Sequence, residues 1–129
     1  MVKILLIDVD GVILVGQYFS MYLEQEYGIT TDQTHTFFSG EFMECIVGKK
    51  DMKQVLPKYL KEWGWEKTYE DFVRYWFGSY ENINKDLLDY IKKIRGKGIK
   101  CYIATNQEKH RASHLFDKIG LKFYFDDVF

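Results

Sequence analysis

Two carboxylates stand near the start of the chain, directly after an apolar stretch. Residues 4–7 are all Ile or Leu, and they are followed by Asp8, Asp10 and Gly11. Because side chains alternate along an extended chain, Asp8 and Asp10 can point toward one pocket. Two neighbouring carboxylates repel each other, and one is driven toward protonation unless a cation lies between them. The spacing therefore predicts a site for a divalent cation that prefers oxygen ligands, such as Mg²⁺.

A second group of polar side chains follows the apolar stretch "CYIA", where Thr105 and Asn106 offer a hydroxyl and an amide. We expect both to lie at the start of the next helix, where the helix dipole favours an anion. Gly11 allows a sharp turn that brings backbone amides close to a ligand. Together these residues predict a site for a phosphate and a metal, with one carboxylate free to act as a nucleophile.

The order of elements needed to position these residues is strand, helical block, helix, strand, helix, strand. "KILLI" and "IKCYI" are short apolar runs typical of strands that are buried on both faces, and residues 121–129 are expected to form the third strand. A helix is expected over residues 107–120. Parallel strands joined by helices predict an α/β fold with a Rossmann-like parallel sheet, whose sites form at the carboxyl ends of the strands.

The first crossover is too long for a single helix. Residues 16–80 form a surplus that is helical by pattern, and we expect them to be a helical cap inserted into a core made of residues 1–15 and 81–129. The cap carries all three tryptophans. Lys49 and Lys50 lie between two of its predicted helices and are candidates for contacting a substrate, although solvated lysines are the more common case.

Composition excludes several classes of protein. The 129 residues carry a formal net charge of −1, without the basic excess of a nucleic-acid binder. The longest apolar runs are far too short to span a membrane. The two cysteines are far apart and match no metal spacing, and no signal peptide is apparent, which together favour a cytoplasmic protein.

The motifs "KILLIDVDGVI" and "CYIATNQ" resemble the first and second motifs of the haloacid dehalogenase-like (HAD) hydrolases, in the branch with a helical cap after the first motif. The resemblance implies a Mg²⁺-dependent phosphatase or phosphohydrolase acting on a small phosphorylated metabolite. It implies that Asp8 attacks phosphorus to form an aspartyl-phosphate, and that Asp10 serves as the acid and base. It further implies that Thr105 holds a phosphoryl oxygen.

The family's third-motif Lys and fourth-motif acidic pair have no obvious counterpart here, so we expect a chain that is truncated and impaired. Asp126 and Asp127 are expected to be a solvated strand end and not that acidic pair. Two interpretations stay open: an enzyme of this family, or a non-catalytic protein that keeps the fold for binding or assembly. In either case, the resemblance places the strand of residues 3–7 at an exposed edge, which favours homo-oligomers.

Overall fold

The computed structural model describes residues 1, 3–79 and 82–128. Along this part of the chain the elements are β1 (Ile4–Ile7), α1 (Phe19–Tyr27), α2 (Thr31–Ser39), α3 (Glu41–Ile46), α4 (Met52–Glu62), α5 (Tyr69–Gly78), α6 (Lys85–Arg95), β2 (Lys100–Ile103), α7 (Lys109–Ser113) and β3 (Asp127–Val128). A π-helical turn, His114–Lys118, continues α7, and a 3₁₀ turn, Leu121–Phe123, precedes β3. The parallel three-stranded sheet with its helices confirms the predicted α/β class.

The chain divides into two compact units. Unit 1 contains Met1–Gly16, Tyr80–Asn106 and His110–Phe129, and it holds the sheet. Unit 2 contains Gln17–Ser79 and Gln107–Lys109, and its main elements are helices α1 to α5. Each unit has its own buried side chains, and each is described separately below.

The sheet of unit 1 has the order β1-β2-β3. β1 pairs in parallel with β2 from Ile4 opposite Lys100 to Ile7 opposite Ile103. The expectation that β1 is buried on both faces is wrong, because Ile4 is 56% exposed and Leu6 58% exposed. Within the residues that the structure describes, β1 has a strand neighbour on one side only, so the sheet ends at this strand.

The core of unit 1 lies between the sheet and α6. Asn84 caps α6 by accepting a hydrogen bond from the amide of Leu87, at 3.1 Å. The amphipathic spacing of α6 then turns Leu88, Ile91 and Ile94 into the core. The other buried members of this core are Ile7, Val9, Ile13, Leu14, Cys101, Ile103, Leu115, Leu121 and Phe125. Cys101 is fully buried, as the sequence predicted.

The predicted third strand is mostly wrong. The chain forms a 3₁₀ turn over Leu121–Phe123, and β3 contains only Asp127–Val128. Leu121 and Phe125 are both buried, whereas Phe123 between them is 76% exposed, which breaks the alternation that a strand would show. The last predicted residue of this strand, Phe129, lies outside the described residues.

The core of unit 2 is a cluster of aromatic rings. Phe19 is stacked on Trp76 with ring centroids 5.3 Å apart, and it meets Phe72 edge-on at 5.5 Å. Phe37 packs on Tyr59 in the same unit, at 5.0 Å. These rings are buried, so the cap aromatics that we expected to form a core do so.

Polar caps set the ends of the unit 2 helices. Thr68 and Asp71 form a capping box at the start of α5. At α2 the capping residue is Thr30, which forms a second capping box with Gln33. In the described parts of the chain, no helix has the length and apolar character needed to cross a membrane.

Candidate functional site at the carboxyl end of the sheet

The turn after β1 is tight and is organised by one carbonyl. The carbonyl oxygen of Val9 accepts hydrogen bonds from the amides of Val12, Ile13 and Leu14, at 3.2, 2.9 and 2.9 Å. Gly11 lies inside this turn with φ 78°, a left-handed conformation that side chains rarely adopt. Its amide donates to the carbonyl of Leu14, at 2.8 Å. The turn therefore depends on glycine at this position.

This turn presents the two carboxylates to solvent. Asp8 and Asp10 are both exposed, whereas Val9 between them is fully buried in the core. Alternation of side chains thus exposes both acids at the end of β1, on either side of the buried Val9. The carboxylate oxygen Oδ1 of Asp8 accepts a 2.7 Å hydrogen bond from the amide of Val9, which limits the rotation of this side chain.

Arg111 is a residue of the candidate site that sequence reasoning missed. Its guanidinium donates two hydrogen bonds to Asp10, from Nη1 to Oδ2 at 3.1 Å and from Nη2 to Oδ1 at 2.7 Å. The Arg111 side chain is 8% exposed, while that of Asp10 is 48% exposed. A cationic side chain that the sequence did not predict therefore lies at this edge. The missing signal is long range, because the two residues are 101 positions apart.

Arg111 is placed by α7 and by the turn that follows it. Leu115, four residues further on and on the same side of the helix, is buried in the core of unit 1. The amide of Ile119 donates to the carbonyl of His114 at 2.9 Å, the five-residue spacing of a π-turn. Such turns are frequent at functional sites. The polarity of Arg111 against its apolar neighbour Leu115 was the one local sign of an unusual position.

Thr105 and Asn106 lie at the same edge of the sheet as Asp8. The amide of Ala104 donates to the carbonyl of Ile7 at 2.9 Å, so the chain leaves both strands side by side. Thr105 is half-buried and Asn106 is exposed. Their predicted position at the start of a helix is wrong, because α7 begins only at Lys109 and both residues belong to the loop over 104–108.

Asp126 is not part of this edge, and it is not a solvated strand end either. It immediately precedes β3, so it lies at the amino end of that strand. Its carboxylate accepts hydrogen bonds from the amide of Cys101 at 2.8 Å and from Nε of Arg95 at 3.2 Å. The amide of Cys101 lowers the pKa of Asp126 most, followed by Arg95. The Asp126 side chain therefore links α6 to β2, and only Asp127 is exposed as expected.

The donors near β1 agree in chemical type with a magnesium site. Mg²⁺ is usually held by one or two carboxylates, with water and substrate phosphate completing its shell. Asp8 and Asp10 supply two carboxylates, although both oxygens of Asp10 already accept hydrogen bonds from Arg111. Among the described residues, no group of three or more His, Cys, Asp or Glu side chains is close enough to share a metal. Of the residues that the structure describes, Asp8 and Asp10 are the carboxylates that would hold the ion.

Unit 2 contains a pocket of about 510 Å³ that includes both candidate lysines. Lys50 forms ion pairs with Glu41 at 3.1 Å and with Glu44 at 2.8 Å, and Lys49 is exposed. The pocket is lined by Glu41, Cys45, Ile46, Gly48, Lys49, Lys50, Asp51, Gln54, Val55, Gln107 and Lys109. It therefore combines charged groups of both signs with an apolar floor.

Several groups that line the pocket have shifted pKa values, Lys109 and Cys45 among them. The Asp51 carboxylate accepts a hydrogen bond from Lys109 at 2.8 Å and raises the pKa of that lysine. Burial raises the pKa of the Cys45 thiol, and neighbouring acids, Glu108 first among them, raise it further. The thiol is therefore neutral near pH 7, and Lys109 is charged.

Comparison with solved structures identifies the fold. A predicted HAD-like family hydrolase from Porphyromonas gingivalis superposes with a TM-score of 0.73 at 21% identity, over 100% of this chain and 66% of that protein. YfnB from Bacillus subtilis, a candidate HAD-hydrolase solved bound to magnesium, superposes with a TM-score of 0.53 at 23% identity, over 99% of this chain and 63% of YfnB.

The chain thus spans slightly less than two thirds of the length of both structures. No model of a protein family matches the sequence, and no curated protein matches it. The similarity in fold nevertheless covers nearly the whole chain and confirms the resemblance that the two motifs indicated. The chain has the fold of the haloacid dehalogenase-like hydrolases.

Proposed function

We propose that the protein is a Mg²⁺-dependent phosphatase that hydrolyses a small phosphorylated metabolite through an aspartyl-phosphate on Asp8. One observation carries the proposal: Asp8 and Asp10 are exposed on either side of the fully buried Val9, at the carboxyl end of β1. In open parallel sheets this edge is where ligands bind. The HAD-like fold supports the proposal, since the sequence resemblance assigns the two carboxylates to the first motif of proteins with this fold.

Asp8 would act as the nucleophile. Its Oδ1 is held by the amide of Val9, which leaves Oδ2 to attack phosphorus. A bond forms between Oδ2 and phosphorus, and the bond from phosphorus to the substrate oxygen breaks. Asp10, which would enter this step protonated, gives its proton to that leaving oxygen. Asp10 then takes a proton from water, which attacks phosphorus, releases inorganic phosphate and restores the Asp8 carboxylate.

The phosphoryl oxygens would be held by groups from both strand ends. The Thr105 hydroxyl and the Asn106 amide are potential donors at this edge, and the turn at Gly11 gives a ligand access to the backbone. When bound through Asp8 and Asp10, Mg²⁺ would neutralise charge on the phosphoryl group. The protein's own residues orient the phosphate and transfer the protons.

We also propose that the pocket of unit 2 binds a small anionic metabolite, with Lys49 and Lys50 as its anion-binding residues. The ion pairs of Lys50 with Glu41 and Glu44 fix its ammonium group, and Lys49 is exposed at the surface. The volume of about 510 Å³ suits a small metabolite. Replacing either lysine with methionine should weaken the binding of inorganic phosphate to this pocket, measured by calorimetry.

The test is turnover of an aryl phosphate by the Asp8→Asn variant in excess magnesium. A neutral amide does not attack phosphorus, so activity should fall to background. Asp127→Asn, which also removes an exposed acid of unit 1, is the matched control and should keep wild-type activity. Activity that survives Asp8→Asn would refute the proposed nucleophile.

A second candidate function rests on the Arg111–Asp10 contact. Because both oxygens of Asp10 accept hydrogen bonds from Arg111, the site could bind a phosphate group without turning it over. A non-catalytic binding or assembly role predicts that phosphate binds to the wild-type protein while aryl phosphate stays intact. The same assay, combined with calorimetry, separates the two candidates.

A further inference from the structure

We infer that Arg111 is the positioning residue of the proposed site: it fixes the orientation of Asp10 and supplies the positive charge that lets two adjacent acids accept a phosphoryl anion. This inference rests on the proposed function. It assigns a role to a residue of α7 that lies outside both motifs. The observation that carries it is the paired contact between a buried guanidinium and an exposed carboxylate.

The asymmetry of burial argues that the contact serves more than the packing of α7. Removing a charged group from water carries a desolvation cost, which an oppositely charged partner offsets only with good geometry and full hydrogen bonding. Here the Arg111 side chain is 8% exposed and the Asp10 side chain is 48% exposed. The Arg111 guanidinium is therefore buried within unit 1, while the Asp10 carboxylate that it binds is accessible to solvent.

The geometry fixes the orientation of Asp10. Both of its carboxylate oxygens accept a hydrogen bond from Arg111, each from a different guanidinium nitrogen. Two parallel N–H···O bonds define the plane of the carboxylate as well as its position. The guanidinium therefore sets the orientation in which Asp10 would meet a substrate or a metal.

The charge of Arg111 also decides whether an anion can approach. Asp8 and Asp10 alone would repel a phosphate group at close range. A guanidinium bonded to Asp10 offsets one of these charges, and because it is nearly buried, solvent screens it less than an exposed lysine. Arginine keeps this charge at any pH at which the protein is folded.

The chain provides a matched control on the same unit. Arg95 also binds a carboxylate with two nitrogens, from Nε to Oδ2 of Asp126 at 3.2 Å and from Nη2 to Oδ1 at 3.1 Å. Asp126 precedes β3 and lies at its amino end, away from the proposed site. Arg95→Met therefore removes an equivalent ion pair and should reduce stability without changing phosphate chemistry.

The experiment compares wild type, Arg111→Met, Arg111→Lys and Arg95→Met, each first shown to be folded by circular dichroism. Calorimetry measures the affinity for inorganic phosphate in excess magnesium, and aryl phosphate turnover gives kcat and KM. We expect Arg111→Met to weaken phosphate binding at least about tenfold and to lower kcat on the order of a hundredfold. Arg111→Lys keeps the charge but loses the paired geometry, so it should recover phosphate affinity more than kcat.

If Arg111→Met is poorly folded, the Arg111→Lys variant tests the inference by itself. A purely structural role predicts that this variant loses phosphate affinity and kcat to the same extent. An equal response of Arg111→Met and Arg95→Met in both readouts would overturn the inference and leave the proposed function intact. Phosphate binding that depends on Arg111 in a protein without turnover would refute the phosphatase and support the role of Arg111. A wild-type protein that neither binds phosphate nor turns over substrate would refute both.

Discussion

The hydroxyl of Tyr59 donates a 2.8 Å hydrogen bond to Oε1 of Glu41, joining α4 to α3 within unit 2. Lys58 donates to the same oxygen, and Lys50 donates to Oε2 at 3.1 Å. These bonds, that from Lys58 first, lower the pKa of Glu41 to about 2. One carboxylate thus collects three donors at the wall of the unit 2 pocket.

The lowered pKa of Glu41 predicts an acid-sensitive contribution to stability. A carboxyl group whose pKa is lower in the folded state than in the unfolded state stabilises the fold above its unfolded pKa, and this is lost as pH falls toward the folded pKa. The unfolding free energy of wild type should exceed that of Glu41→Gln at pH 6. The difference should shrink as pH falls from about 4.5 to about 2. Urea unfolding over this range is the measurement. Glu44→Gln, which shares Lys50, is the control, and an equal pH dependence there would contradict the assignment.

We expect substitutions of Gly11 to destabilise the protein because of the backbone conformation at this position and not because of crowding. A Cβ at this position meets no atom within 4 Å, so the cost of Gly11→Ala comes from φ 78°. A left-handed conformation costs an alanine about 1–2 kcal/mol. Gly11→Asn should cost less, because Asn adopts this conformation more readily. Chemical denaturation measures both variants.

Turnover separates the local role of Gly11 from its effect on stability. Gly98 in the same unit has φ 86° and equally open surroundings, so Gly98→Ala should lose similar stability. We expect Gly11→Ala to reduce aryl phosphate turnover and Gly98→Ala to leave it unchanged at a temperature where both are folded. Equal turnover in the two variants would argue against a role of the Gly11 turn in the site.

Asp126 is expected to be a stabilising residue of unit 1. Asp126→Ala leaves the Cys101 amide and the Arg95 guanidinium without their acceptor. Loss of a partner for a buried donor typically costs about 1–3 kcal/mol. Because the pKa of Asp126 is lowered in the folded protein, the difference from wild type should be complete near neutral pH and fade below the unfolded pKa. Thermal unfolding at neutral and acidic pH measures this difference in stability. A difference that stays constant across this range would contradict a stabilising role of the charged Asp126 carboxylate.

The exposed face of β1 predicts self-association of the 129-residue polypeptide. Leu6 is 58% exposed on a strand that lies at the edge of the described sheet. An unpaired apolar edge favours pairing with a second copy. Sedimentation over a concentration series should show association that Leu6→Lys weakens. Phe123→Lys, at an equally exposed apolar residue of unit 1 outside β1, should leave association unchanged, and an equal effect there would point to non-specific contacts.

Most elements of the fold could be predicted from local patterns in the sequence. The Thr68–Asp71 box, the amphipathic spacing of α6 and the left-handed Gly28 at the end of α1 are each written within a few neighbouring residues, and the structure confirms them. β1 and β2 were predictable for the same reason, since short apolar runs bounded by polar residues are typical of strands. The burial of β1 could not be predicted in the same way, because it depends on what packs against each face of the strand.

Long-range contacts account for what the sequence did not show. Asp8 and Asp10 follow from a local pattern, whereas the pairing of Asp10 with Arg111 joins opposite ends of the chain. Asp126 looked like a surface acid because its acceptor role toward Cys101 exists only once the sheet has formed. The third strand was overestimated, because aromatic residues favour strands by propensity while the packing of Leu121 and Phe125 required a helical turn.

The two paired strands β1 and β2 of unit 1 are synthesised at different times. β1 precedes the helices of unit 2, yet its partner β2 is Lys100–Ile103, far along the chain. The helices of Gln17–Ser79 are made from neighbouring segments, so most of unit 2 is synthesised before β2. Local contacts form faster than distant ones. During synthesis the apolar residues of β1 therefore stay unpaired until β2 has been made, and transiently exposed apolar strands favour aggregation.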